Sequence, residues 1–328
     1  MIRRARKRML QPMYIARGLP ICLLAVGLTL VFWRVERPEA LIHVGVQWAR
    51  IGTLAMVMTG IIITGGIDLS VGSMIALCSV VMGVLWKAGV PAEVSSLACV
   101  AVGLLAGGAN GTLVVVGLSP LVTTLATMAF YSGLAMWISK GQRLTGFPEP
   151  AVDLSYIGGI PTEYGLLAMV FVFSLVAIHF TRFGRWCYAI GDNKTAARFA
   201  AVPVATTQWI LYAASGLVAG LLAVVYTMST GAIPDAHRGL ELEAIACVVV
   251  GGTLITGGRG GILLTLLGLA VISNVDIGLY FLSSDVAFLG ADARLMVVGA
   301  LLIAVAVGNE WLARKETSRR FGGPICDS

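Results

Sequence analysis

Charged residues are scarce in this sequence. Only 12% of its 328 residues are Asp, Glu, Lys or Arg, whereas 58% are hydrophobic and the mean hydropathy is +0.90. Soluble globular domains carry about twice this share of charge. The composition excludes an ordinary soluble enzyme or binding domain and indicates an all-α polytopic membrane protein. The 40 glycines agree with that class, because small residues let membrane helices approach closely.

Patterns typical of catalysis and of metal binding are also missing. The six cysteines have no paired spacing and the three histidines are scattered, so neither a disulfide framework nor a metal site is predicted. No nucleophile–base pair and no pair of carboxylates has a spacing that suggests catalysis. The glycine-rich stretch 251–261, GGTLITGGRGG, lacks the Gly-Lys-Ser/Thr ending of a phosphate-binding loop. We therefore predict that the chain is not an enzyme and binds no cofactor itself.

What the sequence does contain is long apolar runs. About twenty apolar residues cross a bilayer as a helix, and on that basis we predict a single transmembrane domain over residues 1–328. It contains ten spans: 18–33, 42–64, 71–86, 94–117, 119–138, 163–180, 207–228, 243–256, 261–282 and 292–311. The third and eighth spans are short, and each adjoins a glycine-rich break.

The orientation follows from the basic residues, which cluster beside the spans. Lys and Arg in short loops favour the cytoplasmic side, and with ten spans this places both termini in the cytoplasm. The predicted cytoplasmic parts are a basic N-terminus (1–17), a polar segment in the middle of the chain (181–206) and a C-terminal tail (312–328). Charges placed in this way indicate topology and contact with membrane lipid rather than a nucleic-acid-binding face.

The first glycine-rich break, 64–73, contains a carboxylate between two apolar spans. Its sequence is TGGIDLSVGS, with Gly65, Gly66, Asp68 and Ser70. A buried acid is costly unless it is paired, capped or hydrated. One interpretation is local, with Asp68 or Ser70 capping the third span at the amides of residues 72 and 73. The other is that the break lines a permeation path, where irregular backbone is tolerated.

Other polar residues also allow two interpretations. Asn274 and Asp276 lie inside the ninth span, where each could line a pathway or form an interhelical hydrogen bond. Glu241 and Glu243 precede the eighth span at the predicted outer boundary, as surface acids or as contacts for an external partner. For the second break, 251–261, we favour tight helix packing and a turn at the inner surface.

The polar middle segment predicts a short helix over 194–202. Asp192 or Asn193 can cap it, because a side-chain oxygen at that position accepts first-turn amides, and Pro203 blocks its continuation. One interpretation is an amphipathic connector lying on anionic lipid. The other, which we favour, is a docking element whose Ala196, Phe199 and Ala200 fit a groove in another protein.

Taken together, these motifs resemble a known family. Four motifs occur in the order seen in permease subunits of sugar ATP-binding-cassette importers. They are the break TGGIDLSVGS, the segment RFGRWCYAIG at 182–191, ELEAIA at 241–246 and the second break. The resemblance covers about residues 48–312 and is greatest to the ribose, rhamnose and autoinducer type within the branched-chain-permease superfamily.

The resemblance implies an importer in the cell inner membrane that carries a monosaccharide by alternating access. Its partners would be a cytoplasmic ATPase that uses ATP and Mg, a periplasmic or lipid-anchored sugar-binding protein, and a second copy or a homologous permease. The family's ATPase-coupling motif falls on Gly191, Asp192, Asn193, Ala196, Ala197 and Arg198. The first break, with Gly65, Gly66, Asp68 and Ser70, falls on the membrane-embedded motif.

The sequence departs from the family pattern at a few positions. Asp192 stands where a glycine is common, Ala201 where a glycine often precedes Val-Pro, and Leu264-Thr265 where Gly-Thr often follows the second break. An alternative function is an ion-gradient-driven secondary transporter with Asp68 and Asp276 as ion sites.

Overall fold

The computed structural model describes residues 38–147, 156–157, 160–235 and 239–283, together with positions 296, 299, 300 and 303. The predicted first span, the cytoplasmic N-terminus and the C-terminal tail lie outside these residues, as does most of the tenth span. Within the described part, the helices are α1 (Pro38–Ile63), α2 (Val71–Lys87), α3 (Ala92–Val116), α4 (Pro120–Ser139), α5 (Thr162–Leu175), α6 (Arg182–Asp192), α7 (Lys194–Phe199), α8 (Val204–Thr230), α9 (Leu240–Val250) and α10 (Ile262–Ser283). A π-helical turn, Val176–Phe180, extends α5, and the strands Tyr156–Ile157 and Ile160–Pro161 pair antiparallel before it.

Five helical segments are long and apolar enough to cross a membrane. They are Gly45–Ile63, Ala92–Val116, Pro120–Ser139, Thr162–Phe180 and Val204–Thr230. Two shorter apolar helices, Val71–Lys87 and Ile262–Gly278, accompany them. The predicted class, an all-α polytopic membrane protein, is therefore confirmed.

The eighth predicted span differs from the structure at its C-terminal end. We predict it over 243–256, but α9 ends at Val250 and the chain turns at Gly251 and Gly252. Gly252 has a φ of +98°, which a residue with a Cβ rarely adopts. The apolar side chains after these glycines raise the hydropathy of a segment that is not helical.

Helices α3 and α8 pack backbone to backbone, and four glycines make this packing possible. Gly103 and Gly107 on α3 face Gly216 and Gly220 on α8, each pair four residues apart. A Cβ added at Gly107 would overlap the backbone of α8, and one at Gly216 would overlap that of α3. Such small-residue faces let two membrane helices meet backbone to backbone.

The two ends of the helix bundle have different contents. One end, which we call the connector end, contains the polar segment 181–203 with α6 and α7. At the opposite end, Leu144 and Ala232 pair through their backbones, and the Trp86 indole donates to the Gly146 carbonyl at 2.9 Å. The Arg143 guanidinium donates to the Thr230 carbonyl beside this pair. These contacts fix the loop after α4 against the loop after α8.

Candidate functional site

The connector segment folds into two short helices rather than one. The Thr181 hydroxyl accepts from the Phe183 amide at 3.1 Å and starts α6, which the sequence does not predict. The Asn193 side chain accepts from the Ala196 amide at 2.9 Å and starts α7. Asn193, and not Asp192, is therefore the cap. Asp192 is the last residue of α6.

The helix α7 ends earlier than predicted. Instead of reaching residue 202 it ends at Phe199, because Ala201 adopts a left-handed conformation with φ +57°. The Val202 amide then bonds to the Ala197 carbonyl at 3.0 Å and the Ala201 amide to the Arg198 carbonyl at 3.1 Å. This is the Schellman arrangement, whose left-handed residue is usually glycine. It explains why a glycine suits the position that Ala201 occupies.

The coupling residues implied by the resemblance separate into an exposed face and a buried face. Ala197 is 4% exposed and packs with Ile190 and Val204, so it anchors α7 instead of facing outward. Phe199 is 89% exposed, the highest exposed fraction among the large hydrophobic side chains of the described residues. Phe199 is not one of these coupling residues, but it is exposed beside four of them, Asp192, Asn193, Ala196 and Arg198. The outward face therefore combines one large apolar side chain with charged and small ones.

The exposed cations of α7 lie close together. Partial desolvation, reinforced by the neighbouring Arg198 charge, lowers the pKa of Lys194. Two cations held next to each other favour a negatively charged partner surface.

Beneath the connector, three segments meet through their backbones. The Gly258 amide in the second break donates to the Ile63 carbonyl at the end of α1 at 2.9 Å. Gly191 lies directly against this hydrogen bond, since an added Cβ there would overlap both the Ile63 oxygen and the Gly258 nitrogen. A Cβ at Gly257 would lie 2.9 Å from the Gly65 nitrogen. We call the contact among Gly191, Gly258 and Ile63 the glycine junction.

Two side chains reinforce the link between the connector and the second break. The Tyr188 hydroxyl on α6 donates to the Gly260 carbonyl at 3.0 Å. The His179 Nε2 atom, in the π-helical turn, accepts from the Ile262 amide at 3.2 Å and so caps α10. Burial, and then the proximity of Cys187, raises the pKa of Tyr188, which keeps its hydroxyl a donor. The second break thus contains the predicted turn, and this turn packs on the connector.

The first break contains a buried polar network. Asp68 is fully buried, and its Oδ1 atom accepts from the Ser70 amide at 3.0 Å and from the Ser70 hydroxyl at 2.6 Å. The other carboxylate oxygen accepts from Ser215 on α8 at 2.9 Å. The Asn110 amide on α3 donates to the Ser70 hydroxyl at 2.7 Å, and Tyr131 on α4 donates to Asn110 at 3.1 Å. Three helices, α3, α4 and α8, are therefore tied to the start of α2.

The predicted cap at residues 72 and 73 is not formed. Ser70 occupies the N-cap position of α2, but neither its side chain nor that of Asp68 bonds to those amides. Gly66 packs against Tyr212, whose hydroxyl donates to the Ile67 carbonyl at 3.3 Å. Gly65 has a φ of +77°, which the turn after α1 requires. A role of Gly65, Gly66, Asp68 and Ser70 in a substrate pathway stays a prediction.

Asn274 and Asp276 are not brought together with the first break. The Asn274 side chain donates to the Ala270 carbonyl of its own helix at 2.6 Å. Asp276 accepts from the Trp48 indole at 3.2 Å, which joins α10 to α1. Of the two interpretations of Asp276, the interhelical hydrogen bond is therefore present.

Sequence reasoning missed an ion pair between Arg50 on α1 and Glu163 on α5. The Arg50 guanidinium donates to Glu163 at 2.6 Å and to Ser229 at 3.1 Å, and it stacks 4.1 Å from the centre of the Tyr226 ring. A basic residue within the apolar span 42–64 is the signal that could have identified it, because such a charge requires a partner.

Glu241 also differs from its prediction. It is only 8% exposed, and its Oε1 atom accepts from the Gly239 amide at 3.0 Å. Its interpretation as a surface acid is wrong.

Comparison with known proteins identifies the family. The profile described as branched-chain amino acid transport system / permease component matches residues 41–306. The chain belongs to this permease family. The autoinducer 2 import system permease protein LsrD of Yersinia enterocolitica is 34% identical over 82% of this chain and 86% of its own length. The LsrD proteins of Yersinia pseudotuberculosis and Yersinia pestis are each 32% identical over 82% of this chain and 85% of their own.

These similarities confirm the predicted class, a permease subunit of sugar ATP-binding-cassette importers. The family consists of transport permeases and not of enzymes. The alternative of a secondary transporter using Asp68 and Asp276 is not supported, and both carboxylates accept hydrogen bonds from neighbouring side chains in the structure.

Proposed function

We propose that this permease imports autoinducer 2, or a sugar of similar size, and that a cytoplasmic ATPase docks on α6 and α7. The observation that carries the proposal is the exposed face of α7 with Phe199, mounted on the glycine junction. An exposed aromatic on a rigid, capped helix is suited to a partner's groove. The related LsrD proteins are named as permeases of autoinducer 2 import systems, which supports that cargo over ribose or rhamnose.

The proposed topology has ten spans with both termini in the cytoplasm, in the cell inner membrane. The even number of spans and the basic residues of the connector support this orientation. In this arrangement the coupling segment 181–206 faces the ATPase. Residues 1–17 and 312–328 would lie on the same side, within one transmembrane permease domain.

Coupling follows from the way the connector is mounted. When the ATPases close on ATP and Mg, α7 moves with its docked partner. Because Gly191 lies against both Ile63 and Gly258, this displacement acts on the end of α1 and on the loop before α10 together. Such a link can change the exposure of a central path from one side of the membrane to the other.

The remaining parts of the importer are a binding protein and a second permease. A periplasmic or lipid-anchored binding protein would deliver the sugar, and a second copy or a homologue would complete the path. The coupling free energy between two binding events is the same in both directions. Binding of the loaded binding protein should therefore also favour the closed state of the ATPases. ATP and Mg belong to the ATPase in this scheme and not to this chain.

Uptake of autoinducer 2 by membrane vesicles tests the function. Vesicles carrying the complete transporter should accumulate it when ATP is enclosed and binding protein is present, and should do so after the proton gradient is collapsed. Accumulation that requires the gradient and proceeds without the ATPase would contradict the proposal.

A further inference from the structure

Two short helices begin inside the bundle and not at its ends. The start of α2 is tied through Asp68 to Ser215, which lies near the middle of the 27-residue helix α8. Helix α9 has 11 residues, so it is about 17 Å long and spans roughly half of a hydrocarbon core about 30 Å thick. Discontinuous helices of this kind often surround a substrate path in transporters.

A cavity of about 330 Å³ lies where these two helices begin. Gly72 and Ser73 line it from the first turn of α2, Ser132 from α4, and Asp235 and Glu241 from the approach to α9. A broader depression over Met136 and Lys140 belongs to a single helix and is almost entirely apolar. Ala76, Met128, Ala129 and Pro234 complete the lining of the cavity between α2, α4 and α9, so its polar residues lie on a partly apolar wall. With more polar residues than the depression, this cavity is the better candidate for a polar ligand.

Glu241 gives this cavity a buried carboxyl group. Its side chain is more than nine-tenths buried, yet it lines the cavity. Within the described residues, its carboxylate accepts the Gly239 amide at 3.0 Å, which leaves further acceptor positions on its two oxygens. A carboxylate is costly to bury without such partners, so a ligand that donates hydrogen bonds would suit it.

Residues with hydrogen-bond donors also line the cavity. The first backbone hydrogen bond of α2 runs from the Met74 amide to the Ser70 carbonyl, and no side chain caps the helix. The amides of Gly72 and Ser73 are thus left unused by the helix itself. The Ser132 hydroxyl can both donate and accept.

We propose that this cavity is a transit site for a small, neutral, polyhydroxylated molecule, with Glu241 as its principal acceptor. Hydroxyl groups donate to the carboxylate and accept from the unused amides, so the mixture of donors and acceptors fits a polyol. A bare cation would meet the positive ends of two helix dipoles, which disfavour it. Within the described residues, no group of three His, Cys, Asp or Glu side chains could hold a metal ion. This inference rests on the proposed function and specifies where the cargo passes.

Uptake of autoinducer 2 by vesicles with the complete transporter tests the site. Glu241→Gln keeps an acceptor oxygen, and its uptake rate should stay within about threefold of the wild-type rate. Glu241→Leu removes the acceptor, and its uptake rate should fall roughly tenfold or more. Glu93→Gln and Glu93→Leu, at an exposed acid at the start of α3, are the matched controls and should transport like the wild type. Co-purification with the ATPase shows that each variant assembles.

Each result decides one question. If Glu241→Leu transports as well as Glu93→Leu, the cavity is not on the path, although the proposed function stands. If Glu241→Gln is as inactive as Glu241→Leu, the charge itself is required and the polyol assignment is wrong. A wild-type complex without ATP-driven uptake would instead contradict the proposed function.

Thiol labelling gives a second measurement that does not require a Glu241 variant. Ser132→Cys places a thiol in the cavity, and saturating autoinducer 2 should slow its reaction with a hydrophilic methanethiosulfonate reagent at least about threefold. Ser79→Cys, at a fully buried position on α2 outside the cavity, should stay unreactive. A Ser132→Cys labelling rate unchanged by autoinducer 2 would overturn the proposal.

Discussion

The glycine junction predicts that Gly191→Ala uncouples transport from ATP hydrolysis without preventing ATPase binding. A Cβ at this position would overlap the Ile63 oxygen and the Gly258 nitrogen, and it would lie 3.0 Å from the Gly258 Cα atom. Since non-bonded contacts to carbon need about 3.5 Å, the backbones must separate by more than about 1 Å. The hydrogen bond between Gly258 and Ile63, 2.9 Å long, then breaks.

The size of the effect follows from these two losses. Overpacking costs about 1–3 kcal/mol, and a buried amide and carbonyl left unpaired cost about 1–3 kcal/mol more. A sum of about 2–6 kcal/mol corresponds to at least roughly a 30-fold change in any equilibrium that requires the junction. We therefore expect stimulation of ATP hydrolysis by loaded binding protein to fall at least about tenfold.

The assay compares ATP hydrolysis and uptake in the same reconstituted vesicles. Gly191→Ala should still co-purify with the ATPase, because the exposed face of α7 is unchanged. Gly133→Ala on α4 is the matched control, since a Cβ there meets nothing within 4 Å. Wild-type coupling in Gly191→Ala would refute the role of the junction in transmission.

Two further changes test local parts of the structure. Ala201→Gly should raise the free energy of unfolding of the connector by up to about 1 kcal/mol. A left-handed alanine costs about 1–2 kcal/mol, and the greater backbone entropy of glycine in the unfolded chain offsets part of the gain from relieving it. An unchanged or lower melting temperature would contradict the conformation of Ala201. Arg50→Met leaves Glu163 buried without its ion pair and should destabilise the protein by about 3–5 kcal/mol. The double variant with Glu163→Met should recover most of that loss, as measured by thermal unfolding. Equal destabilisation by the single and double variants would mean that the ion pair is not the cause.

The membrane helices could be predicted from the sequence because apolar length is a local property. The span predicted over 94–117 corresponds to Ala92–Val116, and the span predicted over 207–228 to Val204–Thr230. The end of α9 could not be predicted in this way, since Leu254 and Ile255 are apolar but follow a turn. In this turn Gly252 has a φ of +98°, and Gly251 packs against the backbone of α10 at Leu264, a contact that apolar length does not reveal.

The site could be predicted only in part. The sequence identifies Asp68 as a buried acid and Asn193 as a possible cap, since both depend on near neighbours. It does not reveal that Asp68 accepts from Ser215, because the two are 147 positions apart. Neither sequence interpretation of Glu241, a surface acid or a contact for an external partner, reveals that it lines a cavity together with the first turn of α2, because that juxtaposition depends on packing between distant helices.

Docking of the ATPase on α7 is the central claim, and co-purification of the ATPase with connector variants tests it most directly. Phe199→Ala and Arg198→Glu remove exposed groups only, so the membrane domain should fold normally while ATPase recovery falls at least about tenfold. Phe173→Ala, at a phenylalanine 73% exposed on the membrane helix α5, is the control and should retain full recovery. Wild-type recovery of the ATPase with both Phe199→Ala and Arg198→Glu would contradict the account.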